Sequence, residues 1–322
     1  MHYSDLMREK ISDGYRITKE DAMRLYSEPL DELCGNADMI REKFCAEKFD
    51  ICTIINARSG RCSENCKFCA QSSHYRTGIE EYGLLSSDEI AEKARHDYSE
   101  GAAHYGIVTS GRTLTDDDVD RICEAIRRIR NETGIAVCAS LGLLNESQFR
   151  KLKEAGLVRV HNNLETSENY FHEVCTTHKY SDKIKAIRAA QNAGLEVCSG
   201  GIIGIGESIE DRIDMALALR ELRIKSIPVN MLNPIAGTPL EKNETLTSDD
   251  LRRTIAVYRF ILPEAYIRLA GGRGLLNDKG KSCFLSGANA AISGDMLTTS
   301  GISIRTDVKM IEELGFRVQY DD

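Results

Sequence analysis

Short apolar or β-branched runs alternate along the chain with longer stretches whose apolar residues recur every three to four positions. The runs are Ile51–Ile55, Tyr105–Thr109, Ile135–Ala139, Val158–Asn162, Leu195–Cys198, Ser226–Met231, Tyr266–Leu269 and a weaker Asn289–Ile292. Each has the length and composition of a strand. The stretches Ser87–His96, Thr115–Thr133, Ser147–Ala155, Lys183–Ala193, Ser208–Leu222 and Asp249–Ile261 carry helical spacing. They supply the crossovers that parallel strands require. Eight such units in about 250 residues predict a (β/α)8 barrel, an α/β fold of the TIM type; a doubly wound open sheet is the alternative. Residues 1–48 show helical spacing without strand runs, as in Lys19–Tyr26. That predicts an N-terminal helical extension ahead of a barrel at 49–322.

In a barrel, side chains alternate between interior and exterior, and chemistry gathers at the C-terminal ends of the strands. The first predicted strand leads into Arg61-Cys62-Ser63-Glu64-Asn65-Cys66-Lys67-Phe68-Cys69, three thiols in one tight loop. A cube of four irons takes four ligands, so three thiolates leave one iron open to a small molecule. Zinc is the rival occupant, since His74 could complete a Cys3His set. Structural zinc loops usually separate two close pairs, however, and the iron–sulfur reading is preferred.

Further along, Cys52, Cys138, His161 with Asn163 and Glu165, Cys198, Asn230 and Arg268 fall on or beside strands where a barrel interior ordinarily holds Val, Ile and Leu. Each has a plainer explanation. A single buried Cys is more often a small hydrophobe than a ligand, Asn163 and Asn230 could close loop hydrogen bonds, and Glu165 could pair with a lysine. Three thiols on separate strands with an arginine shift the balance. A buried guanidinium is costly unless paired, so Arg268 needs partners inside the barrel or must point outward. Cys34, Cys45, Cys123, Cys175 and Cys283 read as structural. Gly204-Ile205-Gly206 resembles a dinucleotide fingerprint only loosely, and a Rossmann reading is rejected.

The 322 residues carry a formal charge of −8, with 42% apolar and 29% charged residues, which fits a soluble globular chain. No block of Lys and Arg offers a footprint for nucleic acid or an anionic membrane, so a small-molecule substrate is expected. No apolar stretch reads as a signal peptide or a membrane span, and a cytoplasmic location is expected. Eleven cysteines, an odd number, suggest reduced thiols and clusters rather than a disulfide framework.

The triad with an aromatic residue before its last cysteine, Phe68, resembles the signature of radical S-adenosylmethionine enzymes. The likeness extends through Cys69–Tyr75, Asn163–Ser167, Val197–Ile202, Ile227–Leu232, Gly237–Leu240 and Ile267–Leu269. This ensemble is similar to the biotin synthase family. The resemblance implies a barrel, usually homodimeric, that inserts sulfur between two unactivated carbons of dethiobiotin. Those C–H bonds are too strong for any side-chain base, so a cofactor must supply a radical. It further implies a [4Fe–4S] cluster on Cys62, Cys66 and Cys69 that binds S-adenosylmethionine and yields a 5′-deoxyadenosyl radical, with reduction by a flavodoxin or ferredoxin. Asn163 and Glu165 would hold the nucleoside, and Asn163 and Asn230 would orient cofactor and dethiobiotin. His161 and Phe68 would line the cofactor site. Gly200 and Gly201 would let backbone approach the cofactor closely.

Sulfur would come from a second, auxiliary cluster deeper in the barrel, for which Cys138, Cys198 and Arg268 match family ligands. At about 3.3 Å per strand residue, Cys52 lies roughly 13 Å below Asn56, leaving room for substrate between two clusters. The chain departs from the family in two places. Gly106 stands where a cysteine is usual, and Cys52 where a serine is usual, so one thiolate has moved to the neighbouring strand. The expectation is therefore a four-iron auxiliary cluster on Cys52, Cys138 and Cys198, with an extra sulfide on its remaining iron and Arg268 as ligand or hydrogen-bond donor; a [2Fe–2S] cluster is the alternative. Lys183 replaces an arginine that would grip the cofactor carboxylate with two bonds, offering a point charge instead. The rival functions are another radical enzyme of this fold, of hydrogenase-maturase or methylornithine-synthase type, and a non-catalytic metal scaffold.

Overall fold

The computed structural model describes residues 2–319. Its strands are β1 (Lys48–Arg58), β2 (His104–Thr109), β3 (Ala136–Ser140), β4 (Arg159–His161), β5 (Glu196–Cys198), β6 (Gly201–Ile203), β7 (Ser226–Met231), β8 (Tyr266–Leu269), β9 (Ala290–Ile292) and β10 (Arg317–Val318). From β1 to β9 they run parallel, and β9 pairs back onto β1 through Asp50–Ala290, Ile51–Ala291 and Cys52–Ile292. That closure makes the expected eight-unit barrel and rules out the open sheet.

The fifth unit is split into β5 and β6, both of which lie along β7. Pro228 in β7 explains the break, because proline has no N–H to give to the ladder. The chain opposite it, Ser199-Gly200, detours and re-enters at Gly201.

Odd positions of β1 and β3 and their counterparts elsewhere, such as Ile51, Tyr105, Val137, Val160, Ile227 and Ile267, are buried against the surrounding helices. Full burial of each such aliphatic side chain contributes roughly 1.5–3 kcal/mol. The helices meet them with apolar faces at helical spacing, as Val119, Ile122, Ile126 and Ile129 do in Asp116–Glu132. Side chains of Ser86, Thr115, Asn145, Ser208 and Thr247 cap helix N-termini at the backbone N–H three residues on. Such caps contribute about 1 kcal/mol each.

Helices Tyr3–Ser12, Lys19–Tyr26 and Leu30–Cys45 precede β1. They pack on the outer helices, Leu30–Cys45 against Ser248–Ile261 and Lys19–Tyr26 against Ile209–Glu221. Among the described residues no helix is long and apolar enough to cross a membrane.

Candidate active site

Strand alternation sorts the barrel interior with little exception. Cys52 and Ile54, Gly106 and Val108, Cys138 and Ser140, Arg159 and His161, Cys198, Pro228 and Asn230, Arg268 and Ala270, and Ile292 all line one cavity of about 420 Å³. These are the period-two positions that face inward while their neighbours pack outward. Cys62, Cys66 and Cys69 line the same cavity from the loop after β1.

The triad loop is held by its own backbone. Cys62 N–H donates to the Gln71 carbonyl (3.0 Å), Ser73 N–H to the Cys62 carbonyl (2.8 Å) and Cys69 N–H to the Cys66 carbonyl (3.0 Å). Asn65 fastens it to the next wall, its Oδ1 accepting from the N–H groups of Thr176 (2.9 Å) and Thr177 (3.2 Å). Phe68 packs in a small apolar group with Ile202, Ile205 and Leu232, which fixes the loop over β6.

Among the described residues, the only trio of thiol, imidazole or carboxylate donors close enough to share one metal ion is Cys66, Cys175 and His178, within 4.8 Å of one another. The triad sulfurs are not such a trio, and His74 places Nε2 3.1 Å from the Ser63 carbonyl. Tetrahedral zinc would bring sulfur pairs to roughly 3.8 Å. A wider spacing suits the corners of a four-iron cube, so the donor set fits the cluster and not the zinc reading. Cys175, expected to be merely structural, instead lies beside a triad cysteine. His178 Nδ1 stands 2.5 Å from Glu64 Oε2 and 3.3 Å from Cys175 Sγ.

On the wall above the floor, Asn163 donates Nδ2–H to Glu165 Oε2 (3.3 Å) and accepts the Gly200 N–H on Oδ1 (3.1 Å). Glu165 has a left-handed φ of 71°, and Lys183 Nζ lies 3.9 Å from its Oε1. Burial pushes the Glu165 carboxyl up, against the opposing pull of Lys183 and the Asn163 hydrogen bond. His161 reaches Ser140 Oγ at 3.2 Å, and its burial together with Lys183 lowers its pKa to about 4, so the ring is neutral. Asn230 bridges backbone, donating to the Gly201 carbonyl (3.0 Å) and accepting the Gly271 N–H (2.8 Å). The loop-closing explanation thus holds for both asparagines, which also face the cavity.

Gly200 and Gly201 stand where the protein's own backbone comes close. A Cβ on Gly200 would sit 1.9 Å from the Pro228 carbonyl oxygen, and one on Gly201 would meet the Glu165 carbonyl oxygen at 2.3 Å. The backbone that they let come close is the protein's own, at the break between β5 and β6. Gly204 and Ile205 give their N–H groups to the Glu207 carboxylate at 2.9 and 2.8 Å, which closes the loosely fingerprint-like loop from within.

The floor holds the deep thiols and the charges around them. Cys52 and Cys138 act on each other as a buried pair, which lowers the Cys52 thiol and raises that of Cys138. Cys198 Sγ accepts from Ser226 Oγ at 3.2 Å. Arg268 has the internal partner it required: Nη2 meets Asp50 Oδ2 at 2.5 Å, and Nη1 donates to the Ala291 carbonyl at 3.0 Å. Asp50 also pairs with Arg159 Nη1 (3.1 Å) and His104 Nδ1 (3.0 Å). Burial works to raise the Asp50 carboxyl, but Arg268, His104 and Arg159 outweigh it and hold it well below the usual range.

Asp50 and Arg159 were not singled out from the sequence. The signal was present, since Asp50 lies two positions before Cys52 and Arg159 two before His161, on the same inward faces.

A closed parallel barrel with a three-thiol loop at its mouth defines a radical S-adenosylmethionine enzyme fold and site. The Radical SAM superfamily profile matches residues 57–219, and the Biotin and Thiamin Synthesis associated domain matches residues 228–317. A biotin synthase of Brachyspira hyodysenteriae is 63% identical over 98% of this chain and 95% of its own. One from Clostridium botulinum is 54% identical over 99% and 100%. The chain belongs to the biotin synthase family. Among solved structures, methylornithine synthase superposes with a TM-score of 0.84, covering 97% of each chain at 21% identity, a likeness of fold alone.

Proposed function

We propose that the protein converts dethiobiotin to biotin by radical-mediated sulfur insertion. The observation that carries this reading is the placement of six cysteines in one cavity, Cys62, Cys66 and Cys69 at its mouth and Cys52, Cys138 and Cys198 on its strands. The membership of the biotin synthase family, near full length, supports it.

A [4Fe–4S] cluster with S-adenosylmethionine supplies the carbon radical that no side chain can generate. Cys62, Cys66 and Cys69 hold that cluster. Asn163 and Glu165 would hold the nucleoside, with Glu165 on the ribose hydroxyls, Asn163 and Asn230 would orient cofactor and dethiobiotin, and Lys183 would offer the cofactor carboxylate a cation. His161, neutral and partly buried, donates or accepts a hydrogen bond without adding charge. Phe68, Ile202 and Leu232 keep water from the radical.

Cys52, Cys138 and Cys198 would hold the auxiliary iron–sulfur cluster, which would supply the sulfur. Three thiolates, with Arg268 already engaged by Asp50, favour a four-iron type with an extra sulfide over [2Fe–2S], which would need Arg268 as its fourth ligand. Residues 1–48 form the helical extension, and 49–322 the catalytic barrel. A homodimer in the cytoplasm, reduced by a flavodoxin or ferredoxin, completes the reading.

The test is an anaerobic assay of reconstituted protein with dithionite, S-adenosylmethionine and dethiobiotin, following 5′-deoxyadenosine and biotin together. Wild type is expected to form both, and Cys198→Ala to form deoxyadenosine without biotin. Deoxyadenosine without biotin from wild type would overturn sulfur insertion, and absence of both would overturn the radical chemistry.

A further inference from the structure

Arg159 is a buried cation on the cavity floor that the proposed chemistry leaves unused. It is 7% exposed and stands directly beside Cys138 in the β3–β4 ladder. In-register neighbours of a parallel pair point to the same face, so the guanidinium enters the barrel in the same layer as that thiol. Its Nε donates to Glu196 Oε2 at 3.2 Å, Nη2 lies 3.2 Å from the same oxygen, and Nη1 donates to Asp50 Oδ2 at 3.1 Å. A guanidinium carries five N–H groups in a planar fork. One hydrogen on Nη1 and one on Nη2 are left with no protein acceptor among the described residues.

The charges lean the same way. Asp50 is a single carboxylate shared by Arg159, Arg268 and His104, while Glu196 is 65% exposed and screened by water. The thiols that bear most on Arg159 are Cys138 and Cys198, and those that bear most on Arg268 are Cys52 and Cys198. Two cations therefore lie beside the three thiols, and Arg159 keeps N–H groups on Nη1 and Nη2 for one more acceptor.

We propose that Arg159, together with Arg268, forms an anion site on the barrel floor whose ligand is hydrosulfide, the sulfur carried by the auxiliary cluster beyond its bridging sulfides. This rests on the four-iron reading of that cluster. Hydrosulfide enters as an intact anion and fills the coordination place that three cysteines leave open; no protein bond is made or broken. Arg159 is a positioning residue that retains the sulfur before transfer.

The experiment compares wild type, Arg159→Gln and Arg159→Lys, each reconstituted anaerobically with iron and isotopically labelled sulfide and then desalted. It reads iron, acid-labile sulfide, retained label and the Mössbauer spectrum of the auxiliary site. Wild type is expected to hold more sulfide than iron. Arg159→Gln is expected to keep its iron but retain label in the extra position roughly tenfold less well, the loss of a charge-assisted fork, with Arg159→Lys between the two. An Arg159→Gln protein that keeps iron and the extra sulfide at wild-type level overturns the proposal and leaves the four-iron reading standing. A two-iron spectrum in wild type overturns both. Should Arg159→Gln fail to hold iron, Arg159→Lys decides: sulfide lost with iron kept supports the site, and sulfide kept overturns it.

Discussion

Asp50 Oδ2 lies 2.5 Å from Nη2 of Arg268, and both residues are almost wholly removed from solvent at the base of the barrel. Through this contact a guanidinium is held beside Cys52 and Cys198 without being left unpaired. The same carboxylate reaches Arg159, so one residue of β1 orders charges from β4 and β8.

Replacing Asp50 with Asn should be among the most damaging changes on the floor. It leaves two buried guanidiniums without their shared counter-charge, a loss of roughly 3–5 kcal/mol. Denaturant unfolding of the metal-free protein reads the cost; a change below about 1 kcal/mol, the size of a surface pair, would show that Asp50 is not the hub described.

The relocated thiolate makes a paired prediction. Cys52→Ser should lose the auxiliary iron while keeping the triad cluster. A Cβ at Gly106 would lie 3.1 Å from Ile54 Cγ2, so that side chain must yield by a few tenths of an ångström to admit a cysteine. The double variant Cys52→Ser with Gly106→Cys should recover part of the iron, because Gly106 is the in-register neighbour of Cys138. Iron content and absorption spectra check this, and full iron retention by Cys52→Ser alone would refute the assigned ligand.

Lys183 is the cation nearest Glu165 on the cavity wall. Lys183→Ala should weaken S-adenosylmethionine binding by roughly tenfold or more, the worth of one hydrogen bond to a charged group. Equilibrium binding to the cluster-loaded protein measures it. Unchanged affinity would place the cofactor carboxylate elsewhere.

His161 sets a pH dependence. Its pKa falls from 6.5 in the unfolded chain to about 4 in the fold, because burial and Lys183 disfavour the cation. The unfolded state therefore binds the extra proton first. Stability from this residue is complete above pH 6.5 and is lost as pH falls towards 4, a total of roughly 3 kcal/mol at 1.36 kcal/mol per unit. Melting of the metal-free protein between those pH values should show a shallower slope in His161→Asn. An identical slope would assign the acid sensitivity to other groups.

Much of this molecule was legible beforehand because its signals are local. Apolar runs separated by amphipathic stretches gave the eight β/α units, and three cysteines within eight residues announced a cluster loop whatever the rest of the chain did. What stayed hidden depended on partners distant in sequence. Arg268 could be named as needing a counter-charge, but Asp50, over 200 residues earlier, could be matched to it only once β9 closed onto β1. Arg159 lay unremarked within the run Val158–Asn162. Its inward direction could be read from its place two residues before His161, but its partner Asp50 stands on another strand. Gly200 and Gly201 were marked by the sequence, but that they also make room for the backbone of Pro228 and Glu165 shows only in the fold.

The succession of strands and helices along the chain, the triad and the choice of family were thus legible in the sequence alone, since hydrophobic periodicity and short ligand spacing act within a few residues. Which cysteines share a chamber, which carboxylate serves two arginines and why the fifth strand breaks were decided by tertiary structure. Closing a barrel brings inward positions from every strand onto one axis, and charges buried there must find their partners across it.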